Sequence, residues 1–533
     1  MAAPPAGPGP PSLLFGRARV ALPTGSEAAA FDRRAIDHVG APGSVLMENA
    51  GRSAAQLLAK IFPRGRVVVV AGGGNNGGDG VVLARSLASW GRDVELLRAE
   101  RSDGADPLLH GWRLSTTPLD PEAADLPRRL AAADVVVDAL LGTGIQGAPR
   151  AREASLIRAM NAAGRPIVAL DLPSGVSADD GAVAGEAVHA QITIAFGAPK
   201  RGCLLHPGRR HAGRLLAVEI GFPPWSDTDS SAFLLTPGWA ERHWVPRDAE
   251  AHKNRAGRLL LMAGSRRFGG AALLAGLGAL RAGVGFLRLA APPELREMVQ
   301  GRLPEAVFVD ASDGDALESA VAESDALAVG PGMGTDPDVA DRLGAALRAS
   351  GGRPSLLDAD ALNLLAAGGL SGWRASQGTL LTPHPGEAAR LLGLSPSDVT
   401  SDPEGAARSL ADRYRSTVLL KGVPSMLAPV ATESPLLVAA DGSSDLARAG
   451  MGDVLTGVAG ALLARGQPPL QAGGLALCLT AAAASRVGAG EGLLPGDVAN
   501  EVAFVLPRSA PSGRDDAGSS DPPFLLLDLP PAH

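Results

Sequence analysis

The sequence predicts an α/β protein: a doubly wound parallel sheet, followed by a second α/β unit. Three observations support this. Short β-branched runs alternate with helix-like stretches between residues 66 and 196. Strand ends run into turns rich in glycine and carboxylates, where open α/β sheets carry function. The same pattern restarts after the aperiodic stretch GFPPWSDTDSSAF, residues 221–233.

Residues 1–24 are rich in Pro and Gly and are expected to be a disordered tail. The first domain is expected over 25–222. A helical pattern runs from Ser26 through Ala59, broken near Gly40 to Gly43. Strand RVVVV (66–70), a glycine loop and helix VVLARSLASW (81–90) follow. VELLRA, DVVVDAL (134–140), IVALDLP (167–173) and QITIAF (191–196) are further strands. A linker is expected over 223–244 and a second domain over 245–508. In that domain RLLLMAGS (258–265) is a strand and GGAALLAGLGALRAG (269–283) a helix. ALAVGPGMG, PSLLDADALN, GTLLTPHPGE and STVLLKG each end a strand in polar or glycine residues. Residues 509–533, rich in Ser, Asp and Pro, are expected to be a second disordered tail.

Composition narrows the function classes. The chain has 533 residues, 46% apolar and 20% charged, which suits a globular protein of two or three domains. The net charge of −7, with no basic block, argues against a nucleic-acid partner. Cys203 and Cys478 lie far apart, so a disulfide framework is excluded and a reducing cytoplasm fits. The N-terminus lacks the basic and apolar regions of a signal peptide. Apolar stretches are interrupted well before 18 residues, so no membrane span and no membrane partner is expected.

The stretch AGGGNNGGDG, residues 71–80, follows the first strand directly. Strand, glycine loop and helix together make a phosphate cradle: glycines admit the anion, and the helix N-terminus adds positive charge. The pattern is neither GxGxxG nor a P-loop. Asn76 can offer its carbonyl oxygen to a hard cation, and Asp79 can hold a ribose or the loop itself. Asp138 closes another strand before the glycine loop of DALLGTGIQGA, and Asp171 and Ser174 sit at the end of a third. A carboxylate there can bind a cation or transfer a proton.

Taken together, LMENAGR, GGGNNGGDG, DALLGTG and DLPSG resemble the YjeF N-terminal domain, the NAD(P)H-hydrate epimerase family, over about residues 25–222. The resemblance implies a Rossmann-like fold that binds hydrated nicotinamide dinucleotide near a potassium ion. It places Asn75, Asn76, Gly77, Gly78 and Asp79 at the dinucleotide. Gly142, Thr143, Gly144, Ile145, Gln146, Gly147 and Ala148 join them. Asn76, Asp138 and Ser174 are implied potassium ligands, and Asp171 the acid/base at C6 of the substrate.

In the second half, GMGDVLTG (450–457) puts Asp453 at the opening of a helix. Helix amides there stabilise a moving phosphoryl group, and the carboxylate can take a hydroxyl proton. TPHPGE holds His384 in a stiff loop, KGVPS sets Lys421 at a strand end, GPGMG is a second tight loop, and HKNRAG precedes the first strand. In this order the motifs resemble the YjeF C-terminal domain, the ADP- or ATP-dependent NAD(P)H-hydrate dehydratase, over about residues 245–507. The resemblance implies a ribokinase-like fold in which the nucleotide phosphorylates the C6 hydroxyl of the S hydrate and elimination restores NADH or NADPH. Asp453 is the implied base. Ala271, Gly332 and His384 face the dinucleotide, while Lys421, Gly422, Val423, Pro424, Ser425 and Gly452 hold the adenine nucleotide. Magnesium accompanies it. The family usually has Asn-Pro upstream of GxGD and Thr or Ser at the position of Met451; here Ser443 and Arg448 stand in the altered stretch GSSDLARAGMGD.

Both halves thus point to one small-molecule substrate, with ADP favoured over ATP as the phosphate donor and a homo-oligomer expected. Two rivals are a ribokinase-like small-molecule kinase and a non-catalytic dinucleotide-binding module. TPHPGE and the first domain weigh against the former; retention of Asn76, Asp138, Asp171 and Ser174 weighs against the latter.

Overall fold

The computed structural model describes residues 19–99, 107–246, 256–431, 433–440, 446, 448–506 and 524–531. The described residues form two compact units, one of residues 19–233 with 524–531 and one of residues 234–506.

In the first unit, α1 (Gly25–Asp37) begins at Thr24, whose side chain and Glu27 cap one another's backbone amides. α2 spans Gly43–Ile61. The sheet strands are β1 (Val67–Ala71), β2 (Val94–Arg98), β3 (Ser115–Pro118), β4 (Val135–Ala139), β5 (Ile167–Leu170), β6 (Ile192–Phe196) and β7 (Arg214–Val218). Their spatial order is β7-β6-β5-β4-β1-β2-β3, all parallel. Both faces are covered. Val67, Val69 and Leu96 pack with Leu83 and Leu87, and Val68 and Val70 pack with Leu130, Ile157 and Met160. Burial on both faces explains why β1, β4, β5 and β6 read as apolar runs, whereas the edge strand β3, STTP, is largely exposed. Strand order reverses between β1 and β4, and a doubly wound sheet opens its crevice at such a point.

The helix after β1 differs from expectation. α3 spans Asn75–Ser89, so it starts six residues before the predicted Val81 and takes in half of the glycine stretch. Packing outweighs glycine's low helix propensity here. A Cβ on Gly77 would overlap the Gly72 carbonyl, and one on Gly80 would lie 2.6 Å from the Ala139 Cβ. Gly73 and Gly74, by contrast, have open space around them.

The tails and linker also depart from expectation where they are described. Val20–Ala21 is a short strand, and the Leu22 amide donates to the Ala232 carbonyl at 2.9 Å. In the expected linker, Pro237–His243 is a helix whose Trp239 is buried on Gly474, where no side chain intervenes. Residues 524–531 are not structureless: Leu525–Leu529 is a strand antiparallel to β7. Leu525 and Leu529 are buried, and Asp528 takes two hydrogen bonds from Arg214, at 2.8 and 2.6 Å.

The second unit contains β8 (Arg258–Met262), β9 (Phe286–Ala291), β10 (Val307–Asp310), β11 (Ala326–Val329), β12 (Ser355–Leu357), β13 (Thr379–Leu381), β14 (Thr417–Leu420), β15 (Ser425–Ala428) and β16 (Leu436–Ala439). The order is β16-β15-β14-β13-β12-β11-β8-β9-β10, parallel except that β15 is antiparallel to β14 and β16. α4 (Gly269–Arg281) and α5 (Met451–Ala464) meet through glycines: a Cβ on Gly457 would overlap the Ala275 carbonyl. Helix α6 (Pro469–Val487) has the length and apolar composition of a membrane span, which the sequence was expected to lack. Its Gly473 packs on Leu380, Leu419 and Leu427 of the sheet.

Candidate functional site

The first unit has a cavity of about 940 Å³ at the carboxyl ends of its strands. Gly72–Gly74 after β1, the loop after β4, Asp171 after β5 and Lys200 after β6 all contribute to it. Asn75, Asn76, Gly77 and Asp79 line the cavity, as do Gly142, Thr143, Gly144, Ile145, Gln146 and Ala148. Two expected residues do not line it. Gly78 lies against Met47, with room for no Cβ, and Gly147 is a turn residue with φ +75.

Asp138 is fully buried. One carboxylate oxygen accepts the Ser174 hydroxyl at 2.6 Å, and the other accepts the Ser174 amide at 2.8 Å. Burial pushes the carboxyl up to about 6, against the pull of these hydrogen bonds. Ser174 Oγ also accepts the Leu141 amide at 2.9 Å, while Asn76 Nδ2 donates to the Leu141 carbonyl at 2.7 Å. The backbone of one residue, Leu141, thus ties Asn76 to Ser174. Asn76 Oδ1 is left buried with no hydrogen-bond partner. A buried orphan acceptor costs about 1–3 kcal/mol, so it calls for a ligand.

Asp171 has φ +66, a left-handed conformation that a residue other than glycine holds only under constraint. Its amide donates to the Ile194 carbonyl at 2.8 Å, and its Oδ1 accepts from the Lys200 ammonium. Lys200 is buried and also donates to the carbonyls of Phe196 and Ala198, at 3.3 and 3.2 Å. Asp79 and Asp32 share the cavity. Burial, then the Asp171 charge, holds Asp79 well above the usual carboxylate range, and Lys200 pulls the other way. Lys200 and Asp32 escaped the sequence reading. The signal for Lys200 was available, because GAPK follows QITIAF as another polar strand end.

In the second unit a cavity of about 300 Å³ is lined by His384, Lys421, Gly422, Val423, Ser425 and Gly452. Its other wall is largely apolar, with Leu235, Leu446, Met451, Leu455 and Leu477. Pro424, Asp453, Ala271 and Gly332 do not line this cavity. The last two adjoin one another: a Cβ on Gly332 would lie 2.9 Å from that of Ala271. Asp453 sits in the first turn of α5, behind Gly450 at φ +94. Burial, then the Asp358 charge, raises its carboxyl to about 6, while Lys421 lowers it. His384 Nδ1 accepts the Gly386 amide at 2.9 Å and caps the following helix; burial lowers its pKa. Ser443 and the HKNR of HKNRAG lie outside the described residues. Arg448, in the altered stretch, donates to the Glu491 carbonyl.

Comparisons with known proteins agree with both halves. Residues 43–202 match the family described as YjeF-related protein N-terminus, and residues 259–507 match that described as NAD(P)H-hydrate dehydratase. A bifunctional NAD(P)H-hydrate repair enzyme Nnr from Moorella thermoacetica is 35% identical over 91% of this chain and 96% of its own length. The Escherichia coli protein of that name is 34% identical over 92% of this chain and 95% of its own. The solved ADP/ATP-dependent NAD(P)H-hydrate dehydratase from Bacillus subtilis, co-crystallised with ATP and Mg2+, aligns with 51% of this chain and 96% of its own at 28% identity and a TM-score of 0.45. The chain belongs to the family of bifunctional NAD(P)H-hydrate repair enzymes.

Proposed function

We propose that the first unit interconverts the R and S forms of hydrated NADH or NADPH at C6, and that the second dehydrates the S form with ADP or ATP. The observation that carries this reading is the pairing, in one chain, of a dinucleotide-sized cavity containing Asp171 with a glycine turn at a helix N-terminus that opens on Asp453. Asp171, held in place by Lys200, is the group that moves a proton at C6. The open backbone of Gly73 and Gly74 lets pyrophosphate approach the start of α3.

Potassium fits Asn76, Asp138 and Ser174, since the orphan Asn76 Oδ1 and the Asp138 carboxylate are hard oxygen donors. The ion would supply a fixed positive charge under the dinucleotide.

In the second unit Asp453 takes the proton of the C6 hydroxyl as that oxygen accepts the phosphoryl group. Lys421 and the amides at Gly452 hold the nucleotide phosphates, with magnesium accompanying them. Phosphate then leaves C6 as a proton is lost from C5, which restores the C5–C6 double bond of the reduced nicotinamide ring and leaves the nucleotide one phosphate shorter. ADP is the favoured donor. The protein works as a cytoplasmic homo-oligomer on small molecules alone.

The test uses mixed R and S NADH hydrate with magnesium, potassium and either ADP or ATP, followed by the return of NADH absorbance. Recovery beyond the S fraction, faster than spontaneous epimerisation, is expected. A halt at the S fraction would remove the epimerase reading. No recovery with either nucleotide would remove the dehydratase reading and favour a small-molecule kinase.

A further inference from the structure

Beneath the phosphate-binding turn lies a carboxylate that the reading above does not use. Asp358, at the end of β12, is 1% exposed. Its Oδ1 accepts from Lys421 Nζ at 2.6 Å, and its Oδ2 accepts from the Thr456 hydroxyl at 2.7 Å. A Cβ on Gly452 would lie 3.5 Å from Lys421 Nζ and 3.9 Å from Asp358 Oδ2. The ammonium and the carboxylate therefore both sit directly under the turn. The backbone around Asp358 is pinned: a Cβ on Gly330 would overlap its carbonyl, and Ala359 has φ +47. Strain of this kind persists only where its surroundings enforce it.

We propose that Asp358 is a positioning residue for the dehydration step, aiming the Lys421 ammonium at the nucleotide phosphates while Thr456 fixes the carboxylate. The proposal rests on the reading that Lys421 binds phosphate. A flexible lysine is a poor anchor unless its head group is held before the ligand arrives. Asp358 does this from below and leaves the upper side of the ammonium toward the cavity that Lys421 lines. Glu387, 3.9 Å from Lys421, supports the same head group, and its other contacts are with His384. Burial alone would lower the Lys421 pKa, but the charges of Asp358 and Glu387 outweigh it and keep the ammonium charged.

The groups that act on Asp453 are Asp358, Lys421 and Asp360. Asp358 raises the Asp453 carboxyl, so removing its charge should shift the acid limb of kcat to lower pH. A purely structural defect would not move that limb.

The test is Asp358→Asn in the full chain, assayed on S hydrate with ADP. The KM for ADP should rise roughly tenfold, as for a lost charge-assisted hydrogen bond. The KM for the hydrate should change less than twofold, and the acid limb should move down. Thr456→Val keeps the charge, so it should raise the ADP KM two- to threefold and leave the limb in place. It also decides the matter if Asp358→Asn does not fold. Equal changes in both KM values, or an ADP KM within twofold of the parent for both variants, would overturn the proposal. Lys421→Met separates the two levels. If it leaves the ADP KM unchanged, the phosphate-binding reading fails; if it raises the ADP KM while Asp358→Asn does not, only the positioning role fails.

Discussion

Replacing Lys200 by Met tests how the acid/base site of the first unit is held. Lys200 is 5% exposed, and its ammonium donates to Asp171 and to two carbonyls. Its removal leaves Asp171, Asp79 and Asp32 in one cavity without their nearest positive charge. Breaking a buried ion pair from one side costs about 3–5 kcal/mol. The Asp171 side chain is 15% exposed, so water relieves part of this and about 3 kcal/mol is expected. Asp171→Asn added to Lys200→Met should recover much of the loss, because no unpaired charge remains and Asn tolerates a left-handed backbone. Hydrogen exchange of the β4 and β5 amides reads the stability of this unit. Epimerisation should fall in both variants, since the double variant regains stability but not the proton carrier. A cost below about 1 kcal/mol for Lys200→Met, or additive losses in the pair, would refute the claim that this ion pair holds Asp171.

Four further outcomes follow from the geometry. With its carboxyl raised to about 6, Asp453 is an ionised base only above that pH, so dehydration should fall tenfold per unit below it, read as kcat against pH. Because the raised carboxyl binds its proton more tightly in the folded state than the ordinary value of 3.8, stability falls as pH rises from there through about 6; Asp453→Asn should therefore stabilise the second unit at pH 8 by about 1–3 kcal/mol in urea unfolding while abolishing turnover. Gly77→Ala should destabilise the first unit by about 2–3 kcal/mol in thermal unfolding, whereas Gly73→Ala should leave stability unchanged and weaken dinucleotide binding in a titration. Deleting residues 515–533 uncovers the β7 edge and the partners of Leu525 and Leu529, each worth about 1.5–3 kcal/mol, so unfolding of the first unit should shift by about 3–6 kcal/mol and light scattering should report association.

Most of the parallel strands were legible because burial on both faces writes them as apolar runs, and their polar ends marked Asp138, Asp171 and Lys421; Ser115–Pro118, Arg214–Val218, Phe286–Ala291 and Val307–Asp310 were not read as strands. The start of α3 was not legible. Glycine propensity argues against a helix at Asn75, and only the approach of Gly77 to Gly72 and of Gly80 to Ala139 reverses it. The Asp358–Thr456 hydrogen bond joins residues 98 apart, with no local spacing to betray it. The run FLLLDL was hidden among Pro, Ser and Asp, and its partner strand lies on the other side of the second domain in sequence. Gly72–Gly80 illustrates how one motif can serve two ends: Gly77 and Gly80 pack the helix, while Gly73 and Gly74 leave its start open to a ligand.

The strand Leu525–Leu529 gives the first unit an unusual order of assembly. A ribosome emits β1 through β7, then the entire second unit, and only afterwards the residues that cover β7. During that interval the nascent first unit presents a bare sheet edge, a surface open to chaperones and to misplaced strands. A product truncated anywhere before residue 525 keeps that edge exposed, even with every residue of both pockets already made. The sheet of the half translated first is thus finished by residues translated after the second unit.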